Sequence, residues 1–295
     1  MAVDLDTLLA QALRMALPLV LAAVAETVAE RGGVVNLGIE GMMIVGAFVA
    51  HLVAAGADTS SLFASWAVAS ACGAALGALL ALFTVRLTGD AIVAGTGIHL
   101  LSFGATGFWF SRAPRPERVI TFLDRPGALS WFPFLATAAI VLAVTCLFRF
   151  TRAGLLIRAS GEDPVALRAV GGNPGLWRTV ALLIAGALSA LAGATLTTVL
   201  TGEFVEGMSG GRGFLALSLV ILGRWSALGA SLAALFLGLC FTIEIQISSI
   251  VAASRETPLT EALVLLLRSL PYALPVLILG FSSRRLLRAP RALGQ

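Results

Sequence analysis

The sequence contains no lysine, and all 20 of its basic residues are arginine. A phosphate-binding loop of the G-x-x-x-x-G-K-[ST] kind requires that lysine, and Schiff-base catalysis requires a lysine amine, so neither chemistry is open to this chain. Histidine is scarce as well: His51 and His99 stand alone, with no H-E-x-x-H pair and no Ser/Lys arrangement. No catalytic residue and no metal site is expected. The three cysteines, Cys72, Cys146 and Cys240, lie singly in apolar runs and read as small core residues rather than disulfide or zinc partners. Charge is the other shortage, at 12% of 295 residues against 58% hydrophobic, with a net charge of +4. A mean hydropathy of +0.96 excludes a soluble protein and a nucleic-acid partner. The solvent of this chain is a lipid bilayer.

A membrane helix takes about 20 apolar residues, and no stretch of ~100 residues is left for a soluble domain. The expectation is an all-α integral membrane protein, one transmembrane domain over 1–295. Apolar windows fall at 8–29, 33–55, 62–85, 91–110, 131–149, 177–200, 213–224, 227–249 and 262–283, a bundle of about nine segments (eight to ten). The first window follows Arg14 but is preceded by Asp4 and Asp6 and succeeded at once by the next, which reads as a retained helix rather than a cleaved leader. The seventh window, a dozen residues long, spans a bilayer only if its Gly-rich flanks are buried in protein. The ninth carries Arg268, Pro271 and Pro275. Small residues crowd the third window (Cys72 to Ala78) and the sixth (Ala185 to Ala194), which suits close helix approach.

Arginine counts set the orientation. The 149–178 connection holds Arg149, Arg152, Arg158, Arg168 and Arg178, and the tail holds Arg284, Arg285, Arg288 and Arg291. Both are expected on the cytoplasmic side. Treating the seventh window as a full crossing satisfies that parity and puts the N-terminus outside, with Asp4, Asp6 and Asp58. The 111–130 segment, with Arg112, Arg115, Arg118 and Arg125, runs against this scheme.

Two hydrophilic passages carry chemistry. In the first, residues 154–173, Pro164 after Glu162-Asp163 suits a first helical turn, where proline loses no hydrogen bond and acids complement the dipole. Gly171-Gly172 ends it. A two-turn helix showing Ala166, Ala169 and Val170 cannot anchor itself and is suited to docking on another protein. The passage resembles the coupling loop of ABC importer permeases, G-x-x-x-R-A-x-G-x-x-P-x-A-A-R-x-x-G, through Gly154, Arg158, Ala159, Gly161, Pro164, Ala166, Arg168 and Gly171, with Leu167 in place of the second Ala.

The second passage, Glu30-Arg31-Gly32-Gly33-Val34-Val35-Asn36-Leu37-Gly38-Ile39-Glu40-Gly41-Met42-Met43, puts glycines, an Asn and a Glu at membrane depth. Irregular backbone there must be buried or line a cavity, and buried ionisable groups mark pathways. Asn36 and Glu40 either line a path or bond to neighbouring helix ends. This passage, with Gly210-Gly211-Arg212-Gly213-Phe214 through Trp225, Leu270-Pro271-Tyr272 and Arg288-Ala289-Pro290 through Gln295, resembles the nucleoside-type ABC permeases that work with basic-membrane-lipoprotein binding proteins, in the broader branched-chain amino acid and ribose permease superfamily. The resemblance covers nearly the whole chain, and its length is that of the shorter of two paired permeases.

The resemblance implies a multi-pass subunit of a bacterial inner membrane, non-catalytic itself. It implies separate ATPase subunits holding ATP and Mg, a second and longer permease completing a heterodimer, and an extracytoplasmic substrate-binding lipoprotein. Substrates of the family include nucleosides and, more broadly, simple sugars. Further pathway candidates are Thr96 and His99 in the Gly/Thr-rich fourth window, and Glu244 and Gln246 in the eighth, which either line the path or link to a partner. Phe204 and Phe214, beside Glu203 and Glu206, either stack on a planar ring or pack as a lid. A stand-alone secondary transporter would instead show ionisable relays through several spans and would leave the coupling loop without a use.

Overall fold

The computed structural model describes residues 5–54, 59–112, 121–125 and 127–252, together with Leu266, Ser269, Tyr272, Ala273 and 289–294. Among the described residues there is no strand. Six helices are long and apolar enough to cross a membrane: α1 (Leu5–Arg31), α3 (Thr59–Ala81, widened to a π turn over Leu82–Arg86), α4 (Ala91–Arg112), α5 (Ala128–Phe150), α8 (Pro174–Thr195, continued as π over Leu196–Thr201) and α10 (Ala227–Ala252). Two apolar helices are shorter, α2 (Ile39–Ala54) and α9 (Arg212–Leu222). Two more, α6 (Arg152–Glu162) and α7 (Pro164–Ala169), lie between α5 and α8. The 262–283 window, with Arg268, Pro271 and Pro275, falls outside the described residues apart from Leu266, Ser269, Tyr272 and Ala273, so the structure does not carry the count of nine. Arg284, Arg285 and Arg288, like Asp4, Asp58, Arg115 and Arg118, also lie outside them.

α1 is the centre of the bundle: residues 16–30 are buried without a break, which is why its sequence is apolar all round rather than amphipathic. α8 packs beside it, also against α2 and α3. The small residues of the third and sixth windows explain that contact, since a Cβ on Gly73 or Gly186 would overlap the other helix's backbone. In contrast, α4 and α5 leave most of their length exposed, with Val93, Leu100, Leu135 and Leu142 facing outward.

Of the six long helices, α1, α3 and α5 run toward the end of the bundle that holds α6 and α7, and α4, α8 and α10 run away from it. One end of the bundle, called basal here, holds α6, α7 and residues 289–294; the other is distal. The described part of the tail and the 149–178 connection therefore share one end, because Ala292 N–H donates to Gly161 O at 2.9 Å.

Three elements differ from expectation. The second window begins at 33, but the helix begins at Ile39, because residues 32–38 run as turns and extended chain. The seventh window is not a full crossing. Its helix of 11 residues rises about 16 Å, roughly half of a ~30 Å hydrocarbon core, and the irregular 202–211 stretch leads into it. The 149–178 connection is more ordered than a single two-turn helix: α6 precedes α7, started by Thr151, whose Oγ1 accepts from Gly154 N–H at 3.0 Å. Distally, Phe122 is fully buried against Trp66, Phe63 and Phe132, so part of the 111–130 segment is folded into the bundle.

Candidate functional site

The two short helices begin at the same place. Glu40, in the first turn of α2 and 3% exposed, accepts from Gly211 N–H through Oε1 at 2.8 Å and from Gly213 N–H through Oε2 at 2.6 Å. A helix start leaves its first N–H groups without intrahelical partners and carries partial positive charge; Glu40 answers both for α9. The fit requires glycine at 213, where a Cβ would lie 2.7 Å from Glu40 Cα. Tyr272 O–H donates to Gly210 O at 2.9 Å, and the Arg212 guanidinium sits 5.7 Å from the Phe241 ring centroid. Leu270 and Pro271 of that motif lie outside the described residues.

Residues 32–38 thread past α1 with their backbone satisfied by it. Gly33 N–H donates to Glu30 O and Val34 N–H to Ala29 O, and Asn36 N–H donates to Glu26 Oε1 at 2.9 Å. Glu30 accepts from the Trp225 indole N–H, while Arg31 Nε donates to Trp225 O at 2.6 Å. Two buried carboxylates four residues apart on α1 thus hold the irregular chain and the end of α9. Sequence reasoning left Glu26, Arg31 and Trp225 out of the site. The signal was there: acids at i and i+4 inside an otherwise apolar run lie on one face.

The wall opposite is α4. A Cβ on Gly41 would meet His99 Cα at 2.7 Å and Ser102 Oγ at 3.0 Å, and one on Gly95 would meet Gly38 N at 2.9 Å. Glycines on both sides bring 38–41 and α4 to backbone contact. Around this junction Asn36 Oδ1, His99 Nδ1 and Ser102 Oγ are buried polar atoms with no hydrogen-bond partner among the described residues, as is Glu26 Oε2 beside Asn36. Phe214, at the start of α9 and 44% exposed, stands edge-on to the His99 ring, centroids 5.5 Å apart. Unsatisfied buried polar atoms are costly, and three of them beside a half-open aromatic ring form a small polar site within an apolar bundle.

Other candidates lie apart from this cluster. Thr96 is exposed and its hydroxyl donates to Ile92 O in its own helix. Phe204 is buried in edge-on contact with Phe48 and Phe110, so it packs and presents no face. Gln246 donates to Gln11 at 3.1 Å, a link between α10 and α1, and Glu244 accepts from Ser248 at 3.0 Å.

At the basal end the coupling-like passage divides into frame and face. Gly154 and Gly161 are buried, the first against the end of α5, the second against the turn after α1, where a Cβ would meet Arg31 O, and Gly33 N at 2.8 Å. Asp163 Oδ1 accepts from Val165 and Ala166 N–H at 3.1 and 2.9 Å, capping α7, which Pro164 opens as its first residue. Gly171 stops it at φ 80°, a conformation suited to glycine. Leu167 turns inward, 3% exposed, against Gly172. What α7 leaves outside is mainly apolar: Val165 is 69% and Val170 81% exposed, with Ala166 and Ala169 beside them and the charged Asp163 and Arg168 also exposed. Arg158 and Ala159 are half-buried in α6. A cavity of about 1070 Å³ opens between α7 and the α3–α4 turn, lined by Pro164, Val165, Arg168, Thr88 and Asp90. Among the described residues no group of acids, His and Cys could hold a metal ion.

Residues 8–270 match the family described as branched-chain amino acid transport system, permease component. The chain belongs to this permease family. It is 30% identical to the nucleoside ABC transporter permease protein NupC of Lactococcus lactis over 98% of this chain and 96% of that protein. It is 31% identical to the guanosine ABC transporter permease protein NupQ of Bacillus subtilis, over 95% and 92%, and 30% identical to the putative glucose ABC transporter permease protein TsgC13 of Haloferax volcanii, over 90% and 88%. No solved structure matches the chain. Among the described residues, the exposed face of α7 and the polar junction of α2, α4 and α9 are two places where the permease presents groups that the fold itself does not use.

Proposed function

We propose that this chain is the membrane permease subunit of an ABC importer for nucleosides or related purine and pyrimidine compounds. The near full-length similarity to permeases named for nucleosides and guanosine carries the reading. The junction supports it chemically. Asn36 Oδ1, His99 Nδ1 and Ser102 Oγ match the N–H and O–H groups of a base and its ribose, and Phe214 offers a ring edge or face. Glu40 serves the site indirectly by fixing the start of α9.

The same reading assigns the partners. ATPase subunits, which hold ATP and Mg, dock on the apolar face of α7; a second, longer permease covers the exposed flank; an extracytoplasmic lipoprotein delivers substrate. The chain, one domain, lies in the bacterial cytoplasmic membrane with the basal end and tail inside and the N-terminus outside, as the arginines of α6 and α7 favour. The permease performs no covalent step: the ATPases move α7, and the junction opens alternately to either side. Simple sugars are the second substrate class, favoured by the glucose-named relative.

Uptake of radiolabelled guanosine and glucose into vesicles carrying the complete complex tests the reading. The expected result is ATP-dependent guanosine uptake that excess unlabelled nucleoside removes and glucose does not. Uptake by this chain without the ATPases, or competition by glucose alone, overturns it.

A further inference from the structure

The tail motif around Pro290 has no part in the reading so far, although its contacts are specific. Residues 289–294 lie between the loop after α1 and the end of α6. Ala292 N–H donates to Gly161 O at 2.9 Å, Gly294 N–H donates to Gly33 O at 3.1 Å, and Leu293 N–H closes the turn on Pro290 O at 3.2 Å. Pro290 and Ala292 are buried. Beneath this turn the two clamped segments also touch directly. A Cβ on Gly33 would meet Gly161 Cα at 3.0 Å, Ser160 Oγ donates to Gly32 O at 3.2 Å, and Arg31 Nη1 pairs with Glu162 Oε1 at 4.0 Å.

We propose that residues 289–294 are a strap that transmits movement of α6 and α7 to the broken segment 32–38. The proposal rests on α7 being the ATPase contact. Its two anchors are peptide groups, not side chains, and only Leu293 separates them, so the strap has little slack. Glycine at 33 and 161 leaves no compressible side chain between the surfaces. Gly161 is the penultimate residue of α6, two before Asp163, the residue that caps α7; Gly33 leads in three residues to Asn36 and in seven to Glu40, which holds α9. A displacement of α7 is thereby passed through backbone to the junction where Asn36 Oδ1 and His99 Nδ1 stand unpaired. The tail is a positioning element for coupling and has no contact with substrate.

The test uses the complete transporter in lipid vesicles with two variants: termination after Arg288, which removes the strap, and Ala292→Pro, which deletes the N–H donor to Gly161 with little change in size. Assembled complex, ATP hydrolysis and guanosine taken up per ATP are measured on each. The expected result is assembly within about twofold of the parent and uptake per ATP lowered about tenfold or more, the scale on which loss of one or two backbone hydrogen bonds acts. Unchanged uptake per ATP overturns the proposal. So does a fall in assembled complex that accounts for all of the lost uptake, because a mere staple lowers the amount of transporter and leaves its ratio alone. Ala166→Asp is run in parallel: if that variant transports normally, the docking reading fails, whatever the tail variants do.

Discussion

Replacing Glu40 by Gln isolates the contact between the two half-length helices. The side chain keeps its shape, one oxygen still accepts, and the other becomes an NH₂ facing the N–H of Gly211 or Gly213, at the present 2.8 and 2.6 Å. One charge-assisted bond is lost, worth about 1.5–3 kcal/mol, and a buried donor is left unsatisfied at about 1–3 kcal/mol. The charge at the start of α9 contributes roughly another 0.3–1 kcal/mol. These terms overlap, so a net loss of roughly 2–4 kcal/mol is expected, about 30- to 1000-fold in the stability of the native arrangement. Thermal unfolding of the lipid-embedded complex, followed by tryptophan fluorescence, reads it, with Trp225 just beyond the end of α9 as one of the chain's five tryptophans. A chain of this size shifts by roughly 2–4 °C per kcal/mol, so Glu40→Gln should melt about 5–15 °C below the parent. Gly213→Ala should act in the same direction, since its Cβ meets Glu40 backbone at 2.7 Å. Unfolding within ~1 °C of the parent, a shift too small for even one lost bond, would refute the capping role. Abolished uptake in that same variant would assign the carboxylate to substrate instead.

Asn36→Leu and His99→Leu should each lower nucleoside uptake more than they lower assembled complex; if both assemble and transport like the parent, the path runs elsewhere and Glu244 and Gln246 are next in line. Ala166→Asp places a charge on the exposed face of α7, where desolvation in an interface costs several kcal/mol, so uptake should fall at least tenfold with normal insertion. Val170→Asp should do the same. Gly171→Asp is the poorer probe, because φ there is 80° and strain is added to charge. The purified chain, lacking lysine, should neither bind nor hydrolyse ATP, and hydrolysis that follows the permease through purification would contradict the assignment.

Most of the long helices were legible because hydrocarbon demands unbroken apolar runs. Each window from 62–85 to 177–200 falls within a helix of the structure. The short elements were harder for one physical reason: hydropathy measures the whole run, whereas helix starts are decided by caps. Residues 33–38 are as apolar as a span, yet Gly32-Gly33 and the bond from Asn36 to Glu26 delay α2 to Ile39. α9 read as a short crossing because nothing in its own sequence says that its start is held by a residue 171 positions upstream. α6 was missed because Arg152, Arg158 and Glu162 make it polar, although Thr151 is an ordinary cap. In the site, Asn36 and Glu40 differ in what the fold does with their side chains. Glu40 is bonded to a helix end, whereas Asn36 keeps an oxygen free.

That difference follows from the two motifs being halves of one device. Glu40 cannot stay buried in an apolar bundle without N–H donors, and the Gly-rich 210–213 stretch cannot begin a helix inside one without an acceptor. Neither passage has a stable structure at this depth alone. Glycine recurs at 211 and 213 because both peptides must come within hydrogen-bonding distance of one carboxylate, and it recurs at 38, 41 and 95 so that α4 can close on the other side. With backbone packed against backbone on two flanks, the glycine contacts of the junction leave no side chain between the packed segments. Motion there has to come as shifts of whole segments, which is the kind of motion that the bonds from Gly33 to the tail and from Gly161 to the tail are built to carry.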